Sequence, residues 1–231
     1  MKNDYLNLVE FWNSAFAMNE EEKKQILSEI DPNSYENLAP SKKQFDVLTS
    51  FKDKKNVLDY GCGTGWASII MTKSGAKKVT AVDVAQNSIT MLDVYKEAYK
   101  VEDKIVAFQI DENWLSQEKE ATRDGFFCSN VIDVVPIEMA KNIVKESARV
   151  TTKDALVVFS LNYYIDPQIM KERGHDVDGA SIYINGVLRL LALTDEEWTT
   201  IFKQYYKDVS LIYYAWPGEA KEMRRLFLLK K

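Results

Sequence analysis

The sequence contains few of the residues that bind metals or form disulfides. Among its 231 residues are two cysteines, Cys62 and Cys128, and a single histidine, His175. Two cysteines are too few for a disulfide framework, and their distance from His175 in the chain does not match the short spacing of zinc ligands. We therefore expect neither a disulfide-stapled fold nor a metal site.

Long hydrophobic runs and an excess of basic charge are also missing. No stretch of about eighteen apolar residues occurs, and residues 1–4 lack the pattern of a signal peptide, so we expect a cytoplasmic protein with no membrane partner. The net charge is −5, and the basic pair Arg224-Arg225 is short enough to be solvated surface. Because nucleic-acid affinity depends on Lys and Arg side chains that neutralise phosphates, no nucleic-acid partner is expected.

The most informative segment is an apolar run that leads into a glycine-rich turn. Residues 57–65 read Val-Leu-Asp-Tyr-Gly-Cys-Gly-Thr-Gly, and a helical pattern follows. Glycine has no Cβ and adopts positive φ, so a ligand can lie directly on the main chain at the start of that helix. A second apolar run ends in Asp83, whose carboxylate is placed to accept hydrogen bonds from ribose hydroxyls. The pattern predicts a nucleotide site.

The glycine spacing distinguishes between nucleotide cofactors. The dinucleotide pattern G-x-G-x-x-G requires its third glycine where this chain has Trp66. The pattern present, D-x-G-x-G-x-G from Asp59 to Gly65 with Asp83 after it, resembles motif I and the following acidic position of the class I S-adenosylmethionine-dependent methyltransferases. A nicotinamide-dependent oxidoreductase is the less favoured alternative, because of Trp66 and the helical patterns over the first fifty residues.

The resemblance implies a set of residues that bind S-adenosylmethionine and its product S-adenosylhomocysteine. Asp59 would hold the ammonium group, Asp83 the ribose, and Asp111 the adenine amino group, although Asp111 could also cap a helix. Asn130, at the end of the fourth predicted strand, would lie near the sulfonium. The implied cofactor-binding residues are Asp59, Gly61, Cys62, Gly63, Asp83, Val84, Asp111, Glu112 and Asn130.

No catalytic residue stands out from the pattern. Methyl transfer is an in-line displacement that depends mainly on alignment, and a general base is required only for a protonated acceptor. The weak candidates are His175, in a polar segment, and Tyr163, directly after the fifth predicted strand. The fourth strand ends in Ser-Asn-Val-Ile at residues 129–132, without the prolines that adenine- and cytosine-amino methylases carry there. Methylation of nucleic-acid bases is therefore disfavoured.

The order of elements predicts the fold class. From Asn56 onward strands and helices alternate, which indicates a parallel sheet covered on both faces. Strands are predicted near residues 56–60, 79–83, 105–110, 125–130, 155–161, 208–215 and 224–230, and helices near 66–74, 86–99, 112–119, 137–149 and from 195. The predicted class is α/β: a doubly wound, mostly parallel seven-stranded sheet that, as in the family, ends in an antiparallel C-terminal hairpin.

The chain is expected to form one methyltransferase domain over residues 1–231. Apolar residues at helical spacing and a capping box at Asn19 predict an N-terminal helical cap over residues 1–50. The apolar runs around Asn185-Gly186 predict a β-hairpin insert after strand 5. The predicted parts are the cap (1–50), the cofactor-binding core (51–161), a substrate-side insert (162–193), and a C-terminal helix with two strands (194–231).

The sequence thus predicts methyl transfer from S-adenosylmethionine to a small-molecule acceptor. Two alternatives remain open: a protein or RNA methyltransferase, for which the cap and hairpin would form a docking face, and a non-catalytic protein that binds S-adenosylmethionine. No motif indicates the acceptor atom, and the oligomeric state is left open.

Overall fold

A computed structural model describes residues 2–231 of the chain. The helices are α1 (Lys2–Ala15), α2 (Glu20–Glu29), α3 (Lys42–Thr49), α4 (Trp66–Lys73), α5 (Gln86–Tyr99), α6 (Trp114–Gln117), α7 (Ile137–Val150), α8 (Pro167–Glu172) and α9 (Asp195–Phe202). The strands are β1 (Val57–Tyr60), β2 (Val79–Asp83), β3 (Ile105–Gln109), β4 (Arg123–Ser129), β5 (Thr151–Leu161), β6 (Asp176–Asp178), β7 (Ser181–Ile184), β8 (Val187–Leu191), β9 (Asp208–Tyr214) and β10 (Arg224–Lys230). A short 3₁₀ helix, Tyr35–Leu38, lies between α2 and α3.

Seven strands form the main sheet, in the order β3-β2-β1-β4-β5-β10-β9. Strands β1 to β5 are parallel to their neighbours, whereas β10 is antiparallel to both β5 and β9. This arrangement confirms the predicted fold class, including the antiparallel C-terminal pair. The strand order reverses between β1 and β4, and ligands of open α/β sheets bind beyond the carboxyl ends of the strands at such a point.

Helices cover both faces of the sheet because the side chains of each strand alternate between two cores. In β1, Leu58 packs in the same apolar cluster as Val144 of α7, whereas Val57 packs with Ile70 of α4. All four residues of β1 are buried, as expected for a central parallel strand. Helices α3, α4 and α5 contribute to one core, and α6, α7 and α9 contribute to the other.

The predicted capping box at the start of α2 is confirmed. The Asn19 side chain accepts hydrogen bonds from the backbone N–H groups of Glu21 and Glu22 at 2.9 Å, and the Glu22 carboxylate accepts one from the Asn19 N–H at 2.8 Å. These bonds satisfy backbone donors that a helix N-terminus leaves without partners. The cap therefore continues from α1 into α2 through a defined turn.

The insert contains more structure than the predicted hairpin. Strands β7 and β8 pair around Asn185-Gly186, whose φ angles of 54° and 75° suit a tight hairpin turn. Helix α8 precedes them, and β6 extends the pair to a separate three-stranded sheet. Residues 176–178, Asp-Val-Asp, are too short and too polar to carry a strand signal in the sequence.

Within residues 2–231, no helix is both long and apolar enough to cross a membrane. The same residues contain no group of three or more His, Cys, Asp or Glu side chains that could hold a metal ion. Cys62 and Cys128 are both buried free thiols, and burial raises the pKa of each well above its usual range. They therefore act as small apolar side chains in this fold.

Candidate functional site

A cavity of about 580 Å³ lies where the parallel strands end, beside the reversal of strand order. Its wall combines the glycine turn after β1, the ends of β2 and β4, helix α1, the insert, and the segment before β10. The predicted site residues that line it are Asp59, Gly61, Cys62, Gly63, Asp83, Val84, Glu112, Asn130 and Tyr163. Asp111 and His175 do not line it.

Asp59 is a buried carboxylate in this wall. Its exposed fraction is 1%, and its Oδ2 accepts a hydrogen bond from the Ser68 hydroxyl at 2.6 Å. Burial raises the pKa of Asp59 to about 7, and the bond from Ser68 opposes that rise only in part. A cation bound in the cavity would favour the charged carboxylate, so this position is suited to an ammonium group.

The raised pKa of Asp59 gives a prediction about stability and pH. The folded protein holds a proton on Asp59 that the unfolded chain releases near its ordinary value of 3.8. This contribution to the free energy of unfolding is fully present below pH 3.8 and is lost as the pH rises to about 7. The loss is on the order of 4 kcal/mol.

The measurement is urea unfolding of the ligand-free protein at a series of pH values, for the wild type and for Asp59→Asn. Other carboxylates titrate in both proteins, so the difference between the two isolates Asp59. We expect the stability of the wild type relative to the variant to fall between pH 4 and pH 7. A constant difference over this range would contradict the raised pKa.

The glycine turn is held open by hydrogen bonds within the protein. The N–H groups of Gly61 and Cys62 both donate to the Val82 carbonyl, at 2.8 and 3.0 Å. Gly61 has a φ of +70°, and a Cβ at this position would lie 2.2 Å from Cγ2 of Val131. Only glycine fits here, and the turn leaves bare main chain toward the cavity.

Asp83 ties the glycine turn to the end of β2. Its Oδ2 accepts a hydrogen bond from the Gly63 N–H and its Oδ1 one from the Ala85 N–H, both at 2.9 Å. Burial raises the pKa of Asp83, and these backbone bonds oppose that rise. Each carboxylate oxygen has two lone pairs, so the side chain can still accept from a ribose hydroxyl. That role remains a prediction.

At the end of β3 the adjacent residues Asp111 and Glu112 have different surroundings. Both are exposed, and Asp111 accepts a hydrogen bond from the Asn113 N–H at 2.9 Å, which closes a turn before α6 rather than capping that helix. Glu112 lines the cavity beside Tyr5, and burial together with the Glu112 carboxylate raises the pKa of Tyr5 to about 12. Of the two acids, Glu112 is the one that lines the cavity, and a contact to adenine at this edge remains a prediction.

Asn130 follows β4 and lines the cavity in a left-handed backbone conformation, with a φ of +55°. Its N–H donates to the Ser160 carbonyl at 2.8 Å, and its side-chain oxygen accepts from the Ser129 hydroxyl at 3.0 Å. Non-glycine residues in this conformation are strained and cluster at functional sites. The placement of Asn130 near the reacting group remains a prediction.

The two candidate catalytic residues lie in different surroundings. Tyr163 lines the cavity, with its ring centre 5.6 Å from the guanidinium carbon of Arg224. His175 lies in the insert, where its backbone N–H donates to the Met170 carbonyl. The structure thus brings Tyr163 to the cavity and leaves His175 outside it.

The interpretation of Arg224-Arg225 as solvated surface is wrong. Arg224 is 6% exposed and Arg225 is 1% exposed. The Arg224 guanidinium lies 3.3 Å from the ring centre of Trp216, pairs with both carboxylate oxygens of Glu219, and donates to the Asn162 side chain at 2.8 Å. A pair of arginines in the sequence gives no sign of this burial, because it depends on how the segment before β10 folds back over Arg224 and on Asn162, which is distant in the chain.

Asn162 connects this arginine pair to a buried carboxylate. The backbone N–H and the side-chain amide of Asn162 donate to Oδ2 of Asp133 at 2.7 and 2.9 Å. The backbone carbonyl of Asn162 accepts a hydrogen bond from Nε of Arg225 at 2.8 Å. Asp133 is fully buried, and burial raises its pKa. The network fixes Asn162 in the part of the cavity walled by the insert and residues 216–224, which we call the acceptor end.

The residues of the opposite end fit S-adenosylmethionine. The buried carboxylate of Asp59 suits an ammonium group. Among the described residues, Ser68 alone donates a hydrogen bond to it. The glycine turn at Gly61 and Gly63 leaves room for the amino-acid part of the cofactor to lie against the backbone. Asp83, at the end of the neighbouring strand β2, lines the same cavity at a position suited to a ribose. We call this part of the cavity the cofactor end.

Comparison with known proteins identifies a methyltransferase domain in part of this chain. Residues 57–154 match a family model described as a methyltransferase domain. The ribosomal protein L11 methyltransferase of Ruminiclostridium cellulolyticum is 32% identical over 154 residues, which make up 66% of this chain and 44% of that protein. The enzyme of the same name from Thermotoga maritima is 31% identical over 116 residues, 50% of this chain and 40% of that protein. The chain therefore spans less than half the length of these two relatives.

Solved structures share the fold at low identity. The PH0226 protein from Pyrococcus horikoshii superposes with a TM-score of 0.68 at 16% identity, covering 92% of this chain and 99% of that one. An S-adenosylmethionine dependent methyltransferase from Mesorhizobium loti has a TM-score of 0.63 at 14% identity, covering 85% and 100%. At these identities the likeness concerns the fold alone.

The relatives correct the prediction about partners. Both are named for methylation of a ribosomal protein. The prediction of a small-molecule partner, with no nucleic acid expected, is therefore wrong. It relied on overall charge and on the absence of base-methylase motifs, and neither reflects the surface that receives a macromolecular acceptor.

Proposed function

We propose that this chain is a class I S-adenosylmethionine-dependent methyltransferase and that it transfers a methyl group from S-adenosylmethionine to an acceptor group on a protein. The observation that carries the transfer is the buried Asp59 carboxylate beside the bare glycine turn, in a cavity that continues to the acceptor end. A protein as acceptor is supported by relatives that are named for a ribosomal protein.

Exposed apolar side chains beside the acceptor end support docking of a polypeptide. Ile184 and Trp216 line the cavity and are 39% and 37% exposed, so they lie at its opening. Tyr164, Ile169 and Met223 are also exposed, and each adjoins a residue of the cavity wall in the sequence. Clustered exposed apolar side chains mark sites of interaction with other proteins.

When bound, S-adenosylmethionine supplies a methyl group on a positively charged sulfur. The protein residues would bind and align rather than take part covalently: Asp59 would fix the amino-acid end and Asp83 the sugar, while α1 and the insert exclude water from the space between. Alignment of this kind supplies effective molarities of up to about 10⁵ to 10⁸ M. Tyr163 lines the cavity at the acceptor end, where its hydroxyl would hydrogen-bond and orient the acceptor group.

The first test is thermal unfolding with added nucleotides. At a concentration about 100 times its dissociation constant, a ligand stabilises the folded state by about 2.7 kcal/mol. For a chain of this size the midpoint should rise by roughly 5 to 10 °C. We expect this rise with S-adenosylmethionine and S-adenosylhomocysteine and none with NAD, and the reverse result would contradict the cofactor assignment.

The second test follows the methyl group. The protein is incubated with methyl-labelled S-adenosylmethionine and a ribosome-containing cell extract, and the product is divided and treated with protease or ribonuclease. We expect label that protease releases and ribonuclease leaves in place, with a sample lacking the protein as control. Label released by ribonuclease would favour RNA as the acceptor, and cofactor binding without any labelled product would favour the non-catalytic alternative.

A further inference from the structure

Arg189 is a half-buried cation of the acceptor end, and the described side chains provide no acidic partner for it. It lies on β8 and lines the cavity. Among the side chains that the structure describes, no carboxylate oxygen lies within 4.0 Å of its guanidinium, and none accepts a hydrogen bond from it. A guanidinium in an apolar wall is costly when it is unpaired, because removal from water is not offset by an opposite charge.

The other arginine of the acceptor end is already neutralised. Arg224 pairs with both oxygens of Glu219, donates to Asn162, and is covered by the Trp216 ring. The protein therefore provides an internal partner for one cation of this wall. The same wall leaves the charge of Arg189 available for an anion from outside.

The backbone of the insert is distorted at Arg189. Ile182 pairs with Leu190, and the next residue of β7, Tyr183, pairs with Leu188. Arg189 is consequently the extra residue of a β-bulge, with no residue opposite it across the ladder. Bulges bend a strand and re-aim a side chain, and they are over-represented next to active sites.

The aromatic rings beside Arg189 offer no acceptor to its hydrogen-bond donors. Its guanidinium carbon lies 4.2 Å from the ring centre of Phe11 and 5.7 Å from that of Trp12, on helix α1. The guanidinium lies over the faces of these rings, which attract the cation and hold it in place. The N–H donors point outward in the guanidinium plane, in the fork geometry that matches a carboxylate.

We propose that Arg189 binds a carboxylate of the protein acceptor and so selects acceptor segments that carry an acidic group near the methylated position. This inference rests on the proposed function, since it concerns the acceptor of the same site. The carboxylate can belong to an acidic side chain or to a chain terminus, and both sources present the same fork-binding pair of oxygens.

The test uses three hexapeptides and isothermal titration calorimetry, with the protein saturated with S-adenosylhomocysteine. The first is acetyl-Ala-Leu-Glu-Leu-Ala-Ala-amide, the second acetyl-Ala-Leu-Gln-Leu-Ala-Ala with a free carboxylate, and the third the same glutamine peptide as an amide. We expect one of the two acidic peptides to bind about 10- to 100-fold more tightly than the neutral peptide. The identity of that peptide distinguishes a side chain from a chain terminus.

Variants of Arg189 test whether this preference originates there. Arg189→Gln should abolish the preference while leaving binding of the neutral peptide unchanged, and Arg189→Lys should retain part of it. The matched control is Arg173→Gln, which removes an exposed arginine of the same insert that does not line the cavity. Equal binding of all three peptides, no binding at millimolar concentration, or a preference that survives Arg189→Gln would each overturn the proposal.

The cofactor titration separates this result from the proposed function. If S-adenosylhomocysteine binds and the peptides show no carboxylate preference, the inference about Arg189 fails and the cofactor assignment stands. If Arg189→Gln weakens the acidic and neutral peptides equally, the arginine only joins α1 to the insert, and the inference fails as well. A failure of S-adenosylhomocysteine itself to bind would overturn the proposed function.

Discussion

Replacement of Asp59 with asparagine should weaken binding of S-adenosylmethionine by about 30- to 5000-fold. The substitution keeps the shape of the side chain and removes its charge. Loss of one partner of a buried, hydrogen-bonded charge pair costs about 2 to 5 kcal/mol, which corresponds to this range of dissociation constants. Asp59 is 1% exposed, so water cannot replace the missing charge.

The same substitution should stabilise the ligand-free protein at pH 8. At that pH the wild-type carboxylate is ionised although burial raises its pKa to about 7, and a buried charge without a cation lowers the stability of the folded state. Asparagine can still accept the hydrogen bond from Ser68 and carries no charge. A simultaneous loss of affinity and gain in stability is expected of a binding residue and would not result from general damage to the fold.

Two controls accompany this experiment, with affinity measured by calorimetry and stability by urea unfolding. Asp103→Asn changes an exposed aspartate in the turn before β3 and should alter neither quantity. Ser68→Ala removes the neighbouring hydroxyl but keeps the charge of Asp59, so its effect on affinity should be smaller. An Asp59→Asn protein that binds the cofactor as tightly as the wild type would contradict the assignment of the ammonium site.

The cofactor end of the cavity could be predicted because its signals are local. The strand, the turn and the helix that follow one another from Val57 to Lys73 each depend on adjacent residues, and Asp83 ends the next strand along the chain. The hairpin turn at Asn185-Gly186 was predictable for the same reason. Patterns of this kind report short-range geometry, which the tertiary structure then preserves.

The acceptor end could not be predicted because it is assembled from distant segments. Arg224 and Trp216 lie more than 150 residues from the glycine turn and reach the cavity because β10 pairs between β5 and β9. Arg189 depends on a bulge, which shifts the register by one residue and leaves no mark in the hydrophobic pattern. At the end of β3 the sequence named both Asp111 and Glu112, and the turn before α6 places Glu112, not Asp111, in the cavity wall.

Replacement of Gly65 with alanine should lower the free energy of unfolding by about 2 to 5 kcal/mol, from about 1 to 2 for the left-handed backbone and about 1 to 3 for overpacking. Gly65 precedes α4 with a φ of +78°, and a Cβ would lie 2.1 Å from Cδ1 and 2.9 Å from Cγ of Leu92. Leu92 is fully buried, so its side chain cannot move aside freely. The matched control is Gly174→Ala, whose φ is +84° with no atom within 4 Å of the added Cβ, and which should lose only the backbone part. Urea unfolding of both variants measures the difference, and equal losses would contradict the contact with Leu92.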